Sequence, residues 1–183
     1  MEESIENGNS IPDSVDFQTL SEKLTDKDWQ VRKAARMEFE KAGYNATEQL
    51  ITILKEGDLD ARWEAAKALV AIKDPAAAPA LVEAFKDESF EIKWLAAEAL
   101  IALGKGSVPA ILRALVKDPE SQSIRQGAHH VLSDLERHGL LDQESSKVLD
   151  NLRMIGPWEH ISVLAEKALE SLGAKNVKQD VKS

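Results

Sequence analysis

A chain of 183 residues that is 43% hydrophobic is long enough to bury the core of one ordinary domain. Its net charge of −9 argues against a general nucleic-acid binder, which needs a basic stripe to displace counterions from phosphate. The absence of cysteine excludes a disulfide framework, a thiolate nucleophile and any cysteine-based zinc site.

Residues 1–12 hold Glu2, Glu3, Glu6 and Gly8 without an aliphatic period, which predicts a disordered acidic tail. Their composition is the opposite of a signal peptide's basic start and apolar run, so a cytoplasmic protein is expected. No unbroken apolar run approaches the ~20 residues that span a bilayer, so no membrane association is expected either. The folded region is expected over 13–174. Pro12 stands just before it, where a first helical turn tolerates proline, and Val15, Phe17, Leu20 and Leu24 follow at helical spacing.

From Asp28 the chain repeats. A capping residue recurs as Asp28, Asp58, Ser89 and Ser121. Three positions on stands Val31, Ala61, Ile92 or Ile124, followed by a cation, Arg32, Arg62, Lys93 or Arg125. Then come Ala35, Ala65, Ala96 and Ala128, and finally Phe39, Leu69, Leu100 and Leu132. The aliphatic, alanine and large apolar slots lie at i, i+4 and i+8 and share one helix face. Leu69 and Leu100 are therefore predicted at matching core positions. The cations are thirty to thirty-two residues apart, and self-similarity at such a period marks a helical repeat array.

A second helix repeats alongside the first. Glu48 to Leu54 aligns with Pro79 to Phe85 and with Pro109 to Leu115, the prolines standing in the opening turn, where a missing N–H costs nothing. Leu24, Leu54 and Phe85 each precede the next cation by eight residues, so the N-terminal helix reads as the second helix of a truncated unit, acting as a cap. After Leu132 the register loosens. Lys147 to Leu152 form a less regular helix, and Gly156-Pro157 breaks the chain. Ile161, Ala165, Leu169 and Leu172 restart the pattern, with Ser162 in the cation slot, and Gly173 is expected to stop the helix. Residues 175–183 carry Lys175, Lys178 and Lys182 and read as a flexible basic tail.

The Val-Arg-x-x-Ala-x-x-x-Leu phrase at this spacing resembles the short HEAT-like repeats named after phycobilisome lyases, over about Asp28 to Leu135 and in part over Ile161 to Gly173. The resemblance implies an all-α, right-handed solenoid of about five antiparallel helix pairs, including the capping helix, with second helices lining the concave side. The family includes scaffolds, bilin-lyase subunits, phycobilisome-degradation factors and an iron-dependent hydroxylase that binds metal through His-Glu dipeptides. This chain has no His-Glu, only the reversed Glu159-His160. His130 and Asp134 share a helix face, but one pair does not make a metal site, and neither a metal nor another cofactor is expected. No phosphate-binding glycine loop or serine-nucleophile motif is present, so no catalytic residue is assigned.

The cations Arg32, Arg62, Lys93 and Arg125 are read as structural, bonding orphan carbonyls and neighbouring carboxylates between units. Trp63 and Trp94 share one slot, where the other units have Lys33 and Gln126. Their rings either seal the seams between units or anchor a partner, tryptophan being enriched in binding hot spots. On the second helices, Thr52, Glu83, Lys86 and Arg113 form a mixed-charge strip suited to a protein surface. The sequence reading is a monomeric, non-enzymatic scaffold or adaptor that binds another protein through its curved surface. The alternative is a lyase-like or phycobilisome-associated subunit handling a tetrapyrrole-bearing protein, with Arg113 and Lys86 as its cations.

Overall fold

The computed structural model describes residues 16–154 and 160–180, with side chains described as far as Gly173. The predicted acidic tail, Val15, the Gly156-Pro157 break and Glu159 lie outside the described residues. Within them the chain is all α, ten α-helices joined by short turns, several of them 3-10: α1 (Phe17–Lys23), α2 (Trp29–Ala42), α3 (Thr47–Glu56), α4 (Leu59–Ile72), α5 (Ala78–Glu83), α6 (Phe90–Leu103), α7 (Val108–Lys117), α8 (Gln122–Arg137), α9 (Gln143–Arg153) and α10 (Ile161–Asp180).

The four predicted caps are in place. Asp28 accepts from the Gln30 N–H, Asp58 from Ala61, Ser89 from Ile92 and Ser121 from Ile124, each satisfying a donor that the first turn leaves orphaned. The first helices α2, α4, α6 and α8 stack on one another in order, and α3, α5 and α7 form the second layer. Each second helix also packs on the first helix of the next unit. The core runs continuously between the layers. Phe39, Leu69, Leu100 and Leu132 are buried at matching places, as are Leu50, Leu81 and Ile111 on the second helices. The short helix α1 packs on α2, with Leu24 fully buried and Phe17 stacked on Phe39 at 5.6 Å. The Gln49 amide of α3 donates to the Ser21 hydroxyl at 3.0 Å, so α1 also reaches the second layer, where a truncated unit's second helix belongs.

The first helices α2, α4 and α6 end on a residue of positive φ. Gly43 closes α2 at φ 60° and Gly104 closes α6 at φ 59°, both with ψ near −134°, a region open to glycine alone. The same place after α4 holds Lys73 at φ 56°, ψ 40°, which costs an L-residue about 1–2 kcal/mol. Lys73→Gly relieves that strain but loosens the unfolded chain by about 0.5–1 kcal/mol, so it is expected to raise stability by about 0.5–1 kcal/mol in urea unfolding. A loss of stability would mean that the Lys73 side chain contributes more than its backbone costs.

Two expectations are corrected. The helix does not stop at Gly173: α10 continues to Asp180, because a single glycine lowers helix propensity by only about 1 kcal/mol. Nor does α10 restart the first-helix layer. It lies along α7 and against α9, while α9 packs on α8. The last helix therefore extends the second layer, and the final pair enters the stack in inverted order. The stretch Phe90–Lys117 is, in composition and length, apolar enough to cross a bilayer. The turn at Gly104–Ser107 folds it into α6 and α7, whose Ile92, Leu100, Ile111, Leu112 and Leu115 fill the core.

Candidate protein-binding surface

The predicted structural cations divide three to one. Arg32 donates to the Asp26 carbonyl at 2.7 Å and pairs with Asp60 of α4. Arg62 donates to the Gly57 carbonyl and holds Asp87 and Glu88 before α6. Arg125 donates to the Pro119 carbonyl at 2.7 Å. Each guanidinium thus ties the start of its helix to the preceding turn, and two of them also reach the next unit. The Lys93 side chain differs: its ammonium makes no hydrogen bond or ion pair with any described residue, and only its backbone N–H is engaged, donating to the Ser89 carbonyl at 3.2 Å.

A buried charge cluster accompanies the ladder. Glu64 is only 3% exposed and is held by Arg36 at 2.8 Å, with Arg32 at 4.0 Å, while Arg36 also pairs with Glu40. The carboxylate is compensated from two sides, as a charge removed from water must be. It locks α2 to α4.

The outer side of the first helices carries a second row, out of phase with the core. Along α2 it reads Trp29, Lys33, Met37; along α4, Leu59, Trp63, Lys67; along α6, Phe90, Trp94, Glu98; along α8, Gln122, Gln126, His130. Trp29, Met37, Leu59, Phe90 and Trp94 are five of the eight large apolar side chains exposed among the described residues. Phe90 is 71% exposed and Trp94 49%. Lys33 lies 5.8 Å from the Trp29 ring and Lys67 4.3 Å from that of Trp63, so cations cover part of two faces of this row.

The structure brings Trp63 and Trp94 together. Both line a cleft of about 410 Å³ with Phe90, Glu91 and Leu95. On the other side of Trp94 a second cleft, about 340 Å³, runs between α6 and α8 and is walled by Phe90, Lys93, Trp94 and His130 over a floor of Phe85, Ala97 and Gly127. The His130 ring is tilted against Trp94 at 5.5 Å. It does not pair with Asp134, whose carboxylate is taken by Arg137 and His138.

The second-helix strip is more dispersed. Thr52, Glu83, Lys86 and Arg113 are all exposed. Glu83 and Lys86 line a shallow cleft with Lys55 and Asp87, which neither Thr52 nor Arg113 joins. The Thr52 hydroxyl donates to the Glu48 carbonyl. Lys86 is engaged by Asp118 at 3.1 Å and Glu83 at 3.3 Å. The hydrogen bond with Asp118 raises its ammonium above the ordinary lysine value, against a smaller opposing effect of burial and with Glu83 adding to the rise.

Phe90, Leu59, Trp29 and His130 are members of the surface that sequence reasoning missed. The signal was present: four residues before the Lys33–Trp63–Trp94 slot, a position outside the core period holds Trp29, Leu59 and Phe90 in three successive units.

Stacked helix pairs with a repeated buried core and an exposed outer row define a helical repeat scaffold. The sequence profile of the family described as HEAT repeats matches residues 17–101 and 47–133, and the chain belongs to that family. No curated protein matches the chain. Its repeats make it a scaffold of a kind suited to protein interaction.

Proposed function

We propose that the protein is a non-enzymatic adaptor that binds a protein partner through the outer row of its first helices, centred on Trp63, Phe90 and Trp94. The observation that carries this reading is the concentration of exposed aromatic and aliphatic side chains in one row of successive units. Burying such side chains in water-excluding contacts contributes roughly 25 cal/mol per Å², and contiguous exposed apolar surface marks interaction sites. The rows are carried on helices that are stacked and capped, so little ordering entropy is lost on docking. The second-helix strip has less to offer: Lys86, the cation that a tetrapyrrole-handling site would use beside Arg113, is already engaged by two carboxylates.

The test is site-specific photocrosslinking in cells, with the reactive residue placed at Leu59 or Glu98 in the outer row, or at Thr52 or Arg113 on the second helices. Crosslinks to one protein from Leu59 and Glu98 are the expected result. Crosslinks from Thr52 and Arg113 alone would move the binding surface to the second-helix layer and overturn the reading.

A further inference from the structure

The cleft between α6 and α8 carries a charge pattern as well as an apolar one. At about 340 Å³ it lies at the lower end of ordinary binding pockets, roughly 300–1,000 Å³. Its floor is the Phe85 ring, which is buried, and Gly127 stands over that ring so closely that a methyl group there would overlap it. The walls are the exposed rings of Phe90, Trp94 and His130. No carboxylate lines it. The charged group in its wall is Lys93, the one member of the cation ladder whose side chain makes no hydrogen bond or ion pair among the described residues. Arg32, Arg62 and Arg125, at the same repeat position, bond carbonyls of their preceding turns.

In a chain of net charge −9, an ammonium beside an apolar cleft that no carboxylate lines offers a local positive site. Of the acids on α6, Glu98 ends the row one turn beyond Trp94 and lines neither cleft, while Glu91 lines the neighbouring cleft on the Trp63 side and accepts from the Ser89 hydroxyl at 2.7 Å. Of the two clefts beside Trp94, the one toward Trp63 is thus lined by an acid and the one toward α8 by a cation.

We propose that this cleft recognises an acidic–hydrophobic segment of the partner protein. A bulky apolar side chain enters between Trp94 and His130 onto Phe85, and a neighbouring aspartate or glutamate meets the Lys93 ammonium. The inference rests on the outer row being the docking face, and adds to it the chemistry of what docks.

The experiment uses the full chain and two fluorescent synthetic peptides that share the same leucine and phenylalanine positions, one with glutamate and aspartate elsewhere, the other with lysine. Fluorescence anisotropy is expected to show the acidic peptide binding roughly tenfold or more tightly than the basic one, a preference opposite to the protein's overall charge. Lys93→Glu is expected to reverse the order. That residue is in the first turns of α6, where a carboxylate suits the helix dipole, so the variant keeps its fold, which a thermal melt checks. An acidic peptide with alanine at the apolar positions is expected to lose binding. Equal binding of both peptides, no binding of either, or a preference that survives Lys93→Glu would each overturn the proposal. So would a dimer in sedimentation that dissociates on Trp94→Ala, which would make a second copy of this chain the occupant. Crosslinks from Leu59 and Glu98 together with failure of the acidic peptide would leave the docking face standing and remove only this inference.

Discussion

Replacing Leu100 by alanine is expected to lower the stability of the protein by about 2–5 kcal/mol, and Leu69→Ala by a similar amount. Both side chains are essentially inaccessible, 0% and 2% exposed, and occupy the same slot of successive first helices. Each is packed where its own helix meets both layers, so a truncation leaves a cavity that neither layer closes by a simple shift. In a stacked array each unit contacts only its neighbours, so the loss falls on one unit and its two interfaces. Urea unfolding followed by circular dichroism measures it, and a broadened transition would signal that the array no longer unfolds as one unit. A loss below about 1 kcal/mol at both positions would contradict the repeat register.

Gly127→Ala is expected to destabilise by about 1–3 kcal/mol, the reverse of the usual effect. In a helix interior glycine to alanine ordinarily gains about 1 kcal/mol, because alanine loses less backbone entropy. Here the added Cβ would stand 2.4–2.5 Å from three ring carbons of Phe85. Phe85 is buried on the turn after α5 and cannot retreat without disturbing the second layer. Glycine at this point of α8 is thus the consequence of a ring pressed against the helix. The companion variant Phe85→Leu should recover part of the loss, so a double-mutant cycle is expected to show strong coupling between the two positions. Stabilisation by Gly127→Ala alone would mean that α8 does not pack against Phe85.

The repeat made most of the fold legible in the sequence. Where four units agree at the cap, the aliphatic slot, the alanine and the leucine, each position is read four times, and local propensity, periodicity and capping point the same way. Legibility ended with the repetition. The spacing of Ile161, Ala165, Leu169 and Leu172 tells which face of α10 is buried and nothing about which neighbour buries it, so its placement along α7 was hidden. Glu64 stands where the other units have Ala34, Leu95 and Gly127, and its burial depends on Arg36, twenty-eight residues away, a pairing that no local pattern encodes.

The surface was half visible for a related reason. Trp63 and Trp94 stood out because tryptophan is rare and the two shared a slot. Phe90 and Leu59 escaped because apolar residues near a helix start read as staples or core until the packing shows them in solvent. Lys93 was grouped with its arginine counterparts, since at sequence level a cation in a repeated slot carries no sign of whether a partner is within reach.

The most direct test of the outer-row account is the double variant Trp63→Ala/Trp94→Ala, compared with the parent chain for melting temperature and for capture of the crosslinked partner. Trp94 is 49% exposed and Trp63 half-buried, so the account predicts a modest fall in melting temperature and loss of most partner binding, the pattern of a hot spot. A clearly lowered melting temperature with partner capture unchanged would contradict it, and would make the two rings seals between repeats and nothing more.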